Sequence, residues 1–166
     1  MIDRRHAIHL AFGAFGFACL PPAAQAQQGY QRFVPFLVEL PGWKANKPEG
    51  MAMEIGDASV VTATRNYERG AAHANASILM GAPAQVALAA TNAGLKFETA
   101  DIHMSTSTLD GFQVTETYTV SNKTGAILVA LGPSAVLTVA YNGLDEDEAM
   151  GLARRFDWNA IQAQVK

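Results

Sequence analysis

The sequence predicts an α+β domain, an antiparallel β-sheet with helices packed on one face, and three observations predict it. Apolar and polar residues alternate in short runs between residues 51 and 141. Tight-turn pairs such as Asp110-Gly111 and Asn142-Gly143 separate those runs. Helical periodicity is confined to residues 83–94 and to the C-terminal end. Strands that follow one another through tight turns pair antiparallel, and helices kept apart from strands mark α+β rather than a doubly wound fold.

The domain is expected to follow an export signal. Arg4 and Arg5 are the positive start, Leu10 to Leu20 is the apolar stretch, Pro21-Pro22 breaks it, and Ala24-Gln25-Ala26 offers small residues to a signal peptidase. That order is the secretory pattern, and the apolar stretch falls short of the ~20 helical residues that span a bilayer. The expected division is a signal peptide at 1–26 and a single α+β domain at 27–166, periplasmic or secreted after cleavage near Ala26. Arg4-Arg5-His6-Ala7-Ile8-His9 loosely matches a twin-arginine signal, and Gly16-Phe17-Ala18 before Cys19 poorly matches a lipobox, so the export route stays open.

Removing residues 1–26 takes away Arg4, Arg5 and Asp3, leaving 10 basic against 14 acidic residues, a net charge of −4 with His neutral. An acidic chain without a basic run is a poor partner for nucleic acid or for an anionic membrane surface. Cys19 is the only cysteine and lies in the signal, so no disulfide, thiolate nucleophile or Cys metal ligand is expected in the domain.

In order, Phe33 to Leu40 reads as an entering turn or short strand, Leu40-Pro41-Gly42-Trp43 as a turn aiming Trp43 at the domain, and Lys44 to Gly50 as loop. Met51 to Ile55 and the Val/Thr-rich Ser59 to Tyr67 read as strands. In Ala72 to Met80, Ala72, Ala74, Ala76, Ile78 and Met80 share one face and His73, Asn75 and Ser77 the other. Pro83 opens a helix with a stripe of Val86, Ala89, Ala90 and Ala93, and Gly94 ends it. Lys96 to Ser105 alternates with Asp101, His103 and Ser105 on one face. Phe112 to Val120 puts Phe112, Val114, Tyr118 and Val120 inward and Gln113, Thr115, Thr117 and Thr119 outward. Ala126 to Leu131 is continuously apolar, as a central buried strand would be, and Ala135 to Tyr141 follows it. Asp145 with Glu148 reads as a capping box, Ala149, Leu152, Ala153 and Phe156 as a stripe, and Asp157 as the cap of a last short helix carrying Trp158, Ile161 and Val165.

A Leu-Pro-x-Trp turn at Leu40 to Trp43, then antiparallel strands, a helix, more strands and a C-terminal helix, resembles the PsbP-like superfamily of α+β sandwiches over roughly residues 33–160. The resemblance implies an exported protein of assembly or interaction type. It carries over no catalytic residue.

The candidate site residues follow from the pattern. Glu116 shares the inward face with Phe112, Val114, Tyr118 and Val120, and a carboxylate there needs a partner or a raised pKa. Arg65 is the candidate partner, on the Val61, Ala63 and Tyr67 face. Glu116 reads either as an acid/base or ligand-anchoring residue, or as part of a structural ion pair at the sheet margin. His73, Asp101 and His103 form a two-His, one-carboxylate metal set if their strands are neighbours, and are otherwise solvated surface groups. Asp145 to Glu148 lacks the alternation and Gly of a calcium loop and reads as a helix start. Trp43 serves a binding surface or the core. No nucleophile elbow, zinc-binding His pair, phosphate loop or haem motif occurs.

Two functional readings result. The first is an exported periplasmic binding or assembly module without its own catalysis, needing no cofactor and no transmembrane segment, that meets an envelope protein or small ligand through Glu116, Arg65, His73, His103 or Trp43. The second is a small periplasmic hydrolase or lyase using Glu116 with His73 or His103. A metal carrier is a third.

Overall fold

The computed structural model describes residues 29–56 and 58–165; the expected export signal and the residues Arg4, Arg5 and Cys19 lie outside them. Strands β1 (Lys44–Ala45), β2 (Glu49–Ile55), β3 (Ala58–Arg69) and β4 (Ala72–Met80) precede helix α1 (Ala82–Asn92). Strands β5 (Phe97–Glu98), β6 (Ile102–Leu109), β7 (Phe112–Thr119), β8 (Thr124–Gly132) and β9 (Ala135–Asn142) precede helices α2 (Glu146–Ala153) and α3 (Trp158–Ala163). They form one antiparallel sheet in the order β1-β3-β4-β9-β8-β7-β6-β5, with β2 also paired to β3. The predicted α+β class and antiparallel pairing therefore hold.

Local chemistry explains the turns. Asp110 and Gly111 both have positive φ, 52° and 87°, which is what a two-residue hairpin turn compatible with strand twist requires. Pro83 stands in the first turn of α1 and Gly94 follows its end at φ 61°. Asp157 caps α3, its Oδ1 accepting from the Ala160 N–H at 2.9 Å.

One face of the sheet carries the main core. Val61, Ala63 and Tyr67 of β3, Ala74, Ala76 and Ile78 of β4, Leu137 and Val139 of β9, Ile127 and Val129 of β8 and Val114 and Tyr118 of β7 lie under Phe33, Leu37, Leu40, Leu152, Phe156, Trp158 and Ile161. The N-terminal segment and helices α2 and α3 are thus its cover. Gly125 has a specific packing reason. It lies between Tyr118 and Tyr141 in the strand register, and a Cβ there would come 2.5 Å from the Tyr141 hydroxyl oxygen. Its bare backbone lets the two tyrosines stack across β8 at 6.4 Å between ring centroids.

Helix placement departs from the expectation of a single covered face. Ala84 and Leu88 of α1 pack on Val136, Leu79, Leu128 and Ala130, which alternation places opposite Leu137, Ile78, Ile127 and Val129. The topology gives the reason. The chain leaves β4 mid-sheet and must reach the far edge before returning through β5 to β9, so α1 spans the face that α2 and α3 do not use. The predicted stripe of α1 is also corrected. Ala84, Leu88 and Thr91 point to the sheet, while Val86 is 76% exposed. Thr115, expected in water, is buried because α1 covers it. Val120 is exposed, because β7 ends at Thr119. The single strand expected over Lys96 to Ser105 is broken at residues 99–101, and part of the expected 44–50 loop is β1.

Candidate functional site

Strand register places each candidate residue. On the main core face Ser105, Glu116, Ile127, Val139, Ala76 and Arg65 stand in one row across β6, β7, β8, β9, β4 and β3. Glu116 and Arg65 therefore share a face as expected, but four strand spacings of ~4.8 Å separate them. The predicted pairing does not form. Arg65 is buried and donates from Nη1 to the Leu37 carbonyl at 2.7 Å and from Nε to the Asn46 carbonyl at 2.8 Å, and its other nitrogen pairs with Glu39. Beside it the Tyr67 hydroxyl donates to the Val38 carbonyl at 2.9 Å, and burial pushes the Tyr67 phenol up to about 12. Arg65 and Tyr67 are pins that hold residues 37–46 to the sheet.

Glu116 is half-buried, and its pKa is raised, first by burial and then by the carboxylates of Glu146 and Asp147 at the start of α2, with Arg154 opposing. His103 faces the same side. Its ring lies 6.2 Å from that of Tyr118, and its Nδ1 lies 3.3 Å from the Glu146 carboxylate. Five surface clefts can be described, and neither Glu116 nor His103 lines any of them.

His73 falls on the opposite face. His103 stands in the Tyr118, Gly125, Tyr141, Ala74 row, and His73 is the neighbour of Ala74. Asp101 is held in the β5–β6 turn, accepting from the Ser121 N–H at 2.8 Å. The His73, Asp101 and His103 metal set is thus overturned by the register, as is any pairing of Glu116 with His73. Among the described residues no group of three His, Cys, Asp or Glu side chains could hold a metal ion. The expected Asp145/Glu148 capping box is also absent: Asp145 makes no side-chain cap bond and pairs with Lys123 at 2.9 Å, and Glu148 pairs with Arg69.

The second face carries what sequence reasoning missed. Helix α1 covers only one end of it. Beyond α1, one row reads Asn66, Asn75, Ala140, Ala126, Thr117 and Met104, and the next reads Glu68, His73, Asn142, Thr124, Thr119 and Ile102. Asn75 Nδ2 donates to Asn66 Oδ1 at 2.6 Å and to Thr64 Oγ1 at 3.0 Å, Ser77 Oγ donates to Asn75 Oδ1 at 2.9 Å, and the Thr64 and Ser77 hydroxyls are 2.9 Å apart. This network fixes the carboxamides in place. Asn46, Asn66, Glu68, His73, Asn75 and Asn142 contribute to an open cleft of about 400 Å³ at the β3–β4 end. Toward the other edge the face turns apolar, with Phe97 53% and Ile102 43% exposed and Met104 half-buried. The middle, Ala126, Thr117 and Ala140, is flat and uncharged. The signal in the sequence was the run His73, Asn75, Ser77 together with Thr62, Thr64 and Asn66, which alternation places on one polar face of two adjacent strands.

Trp43 lies on the covered side. Its ring is half-buried against the core, with the Arg69 guanidinium 4.5 Å from the centroid, in a cleft of about 280 Å³ beside α2. No helix of the described residues is long and apolar enough to cross a membrane. No family model, curated protein or solved structure matches the chain.

Proposed function

We propose that the protein is an exported binding or assembly module, acting in the periplasm or outside the cell, that meets an envelope protein with the bare part of its second sheet face and has no catalysis of its own. One observation carries the reading: a wide stretch of strand surface, hydrogen-bonded carboxamides at one side and exposed Phe97 and Ile102 at the other, lies beyond the reach of α1. An uncharged flat centre with a polar side and an apolar side suits a protein partner, since the cores of protein interfaces are depleted in charge and exposed apolar groups mark contact surfaces. The secretory pattern at residues 1–26 and the likeness to the PsbP-like superfamily support the same reading. His73 then belongs to the binding face, and Arg65 to the framework. The catalytic alternative retains only Glu116 with His103, which share a face and line none of the five described clefts.

The test is capture from envelope extract by the immobilised protein and by its Ala140→Arg variant. A partner held by the wild type and lost by at least ~tenfold in the variant, the effect of about 1.4 kcal/mol of misplaced charge, is expected. No specific partner, or equal capture by both, contradicts the proposal.

A further inference from the structure

We infer that the cleft between the Leu40–Trp43 turn and helix α2 is a second binding site, built for a carboxylate carried on a small apolar body. The inference does not rest on the second sheet face. The cleft has an apolar floor of Leu40, Pro41 and Leu152, an aromatic wall in Trp43, and two guanidinium groups, Arg69 and Arg155. Its volume, about 280 Å³, suits a small molecule or a single terminal residue of a chain.

The two arginines differ in state. Arg69 is held on both sides, stacked over Trp43 at 4.5 Å and paired with Glu148. Arg155 takes part in none of the ion pairs among the described residues. Arg69 and Glu148 cancel, so Arg155, which also borders a neighbouring cleft with Asp110 and Asp157 but pairs with neither, is the guanidinium left open to a ligand carboxylate beside apolar surface. A guanidinium in that setting accepts a carboxylate through two parallel N–H donors, and the Leu40, Leu152 and Trp43 surface receives the apolar remainder.

Gly151 is an independent sign. It lies inside α2, where glycine costs about 1 kcal/mol relative to alanine. Packing does not require it, because a Cβ there would meet no atom within 4 Å. It lines the cleft, and any larger side chain would stand in the mouth. The helix carries this weak residue where the cleft must stay open.

The experiment is an NMR titration of the intact protein, reading the indole N–H of Trp43, with that of Trp158 as the control for the fold. The Trp158 indole is buried and donates to the Ala153 carbonyl. Phenylacetate is expected to move the Trp43 signal with saturation, while acetate, which lacks the body, and phenylacetamide, which lacks the charge, bind at least ~tenfold more weakly. Arg155→Gln is expected to weaken phenylacetate by about tenfold and Gly151→Leu to abolish its binding, with the Trp158 signal in place in both. A peptide ending in a free phenylalanine carboxylate, against its amide, separates the sources: tighter binding of the peptide acid assigns the site to a protein C-terminus, tighter binding of phenylacetate to a small acid. No saturable shift below about 20 mM phenylacetate, equal binding of phenylacetamide, or binding that survives both substitutions overturns the inference.

Discussion

Val136 and Ala140 stand on the same strand and the same face, four residues apart, yet Val136 is fully buried and Ala140 is exposed. A single helix makes the difference. Where α1 lies on the sheet, Val136 and Thr115 are buried and Leu128 is partly buried, so the strands there are covered on both sides. Where α1 ends, the same strands present Ala140, Ala126 and Thr117, and the other side still holds a full core. The lesson is that this sheet needs only one complete face to fold. The uncovered part of the second face adds no buried apolar core, and that is the surface proposed to meet a partner.

The comparison can be stressed from its strongest side. Leu137→Ala removes a fully buried side chain beneath α2 and α3 and is expected to cost about 3–4 kcal/mol, read as a fall in urea midpoint at constant m. Leu88→Ala strips the main contact of α1. Its cluster is small and open to collapse, so about 2 kcal/mol is expected. A loss at Leu88 as large as that at Leu137 would mean that the second face is as much a part of the core as the first.

Glu116→Gln is expected to have the smallest effect, and one that depends on pH. The folded protein holds the Glu116 carboxyl above its ordinary pKa, first through burial. The stability this group contributes is therefore present at pH below its unfolded pKa and is lost as pH rises through the raised folded one. Relative to wild type, the Gln variant should be more stable at neutral pH, with the advantage vanishing toward pH 4. Urea unfolding at the two pH values reads it, and an advantage independent of pH would remove the carboxylate from the account.

Much of the framework was legible. Strict alternation in residues 72–80 and 112–119, the Asp110-Gly111 turn, Pro83 and Gly94 around α1 and the Asp157 cap are local features, and local chemistry wrote them. Register and handedness of crossover are not local. The Arg65 and Glu116 carboxylate-guanidinium pair failed because face can be read from period two, but not how many strands intervene. His73 and His103 failed on both counts: alternation put both on polar faces, yet His103 stands on the core face in the row of Ala74 while His73 is on the other, and four strand spacings separate β4 from β6. The two-sided cover had a partial sign: Ala126 to Leu131 is apolar at every position, and an apolar second face asks for a layer over it, which α1 gives to Leu128 and Ala130 though not to Ala126. Placing every helix on one face contradicted that run. The Val86 stripe misled because alanines in α1 give periodicity little contrast, and Leu88 alone marks the buried side. Nothing local announced Trp43, Arg69 and Arg155 as neighbours, since their meeting depends on how α2 returns across the hairpin.

Equilibrium unfolding of Val136→Arg beside Ala140→Arg tests the two-region account most directly. A charge forced beneath α1 at 136 should cost at least 4 kcal/mol, or prevent folding, whereas Arg at 140 should leave stability within about 0.5 kcal/mol of wild type. A loss above about 2 kcal/mol at 140 would show that the second face is closed there as well, and that no surface is left free for a partner.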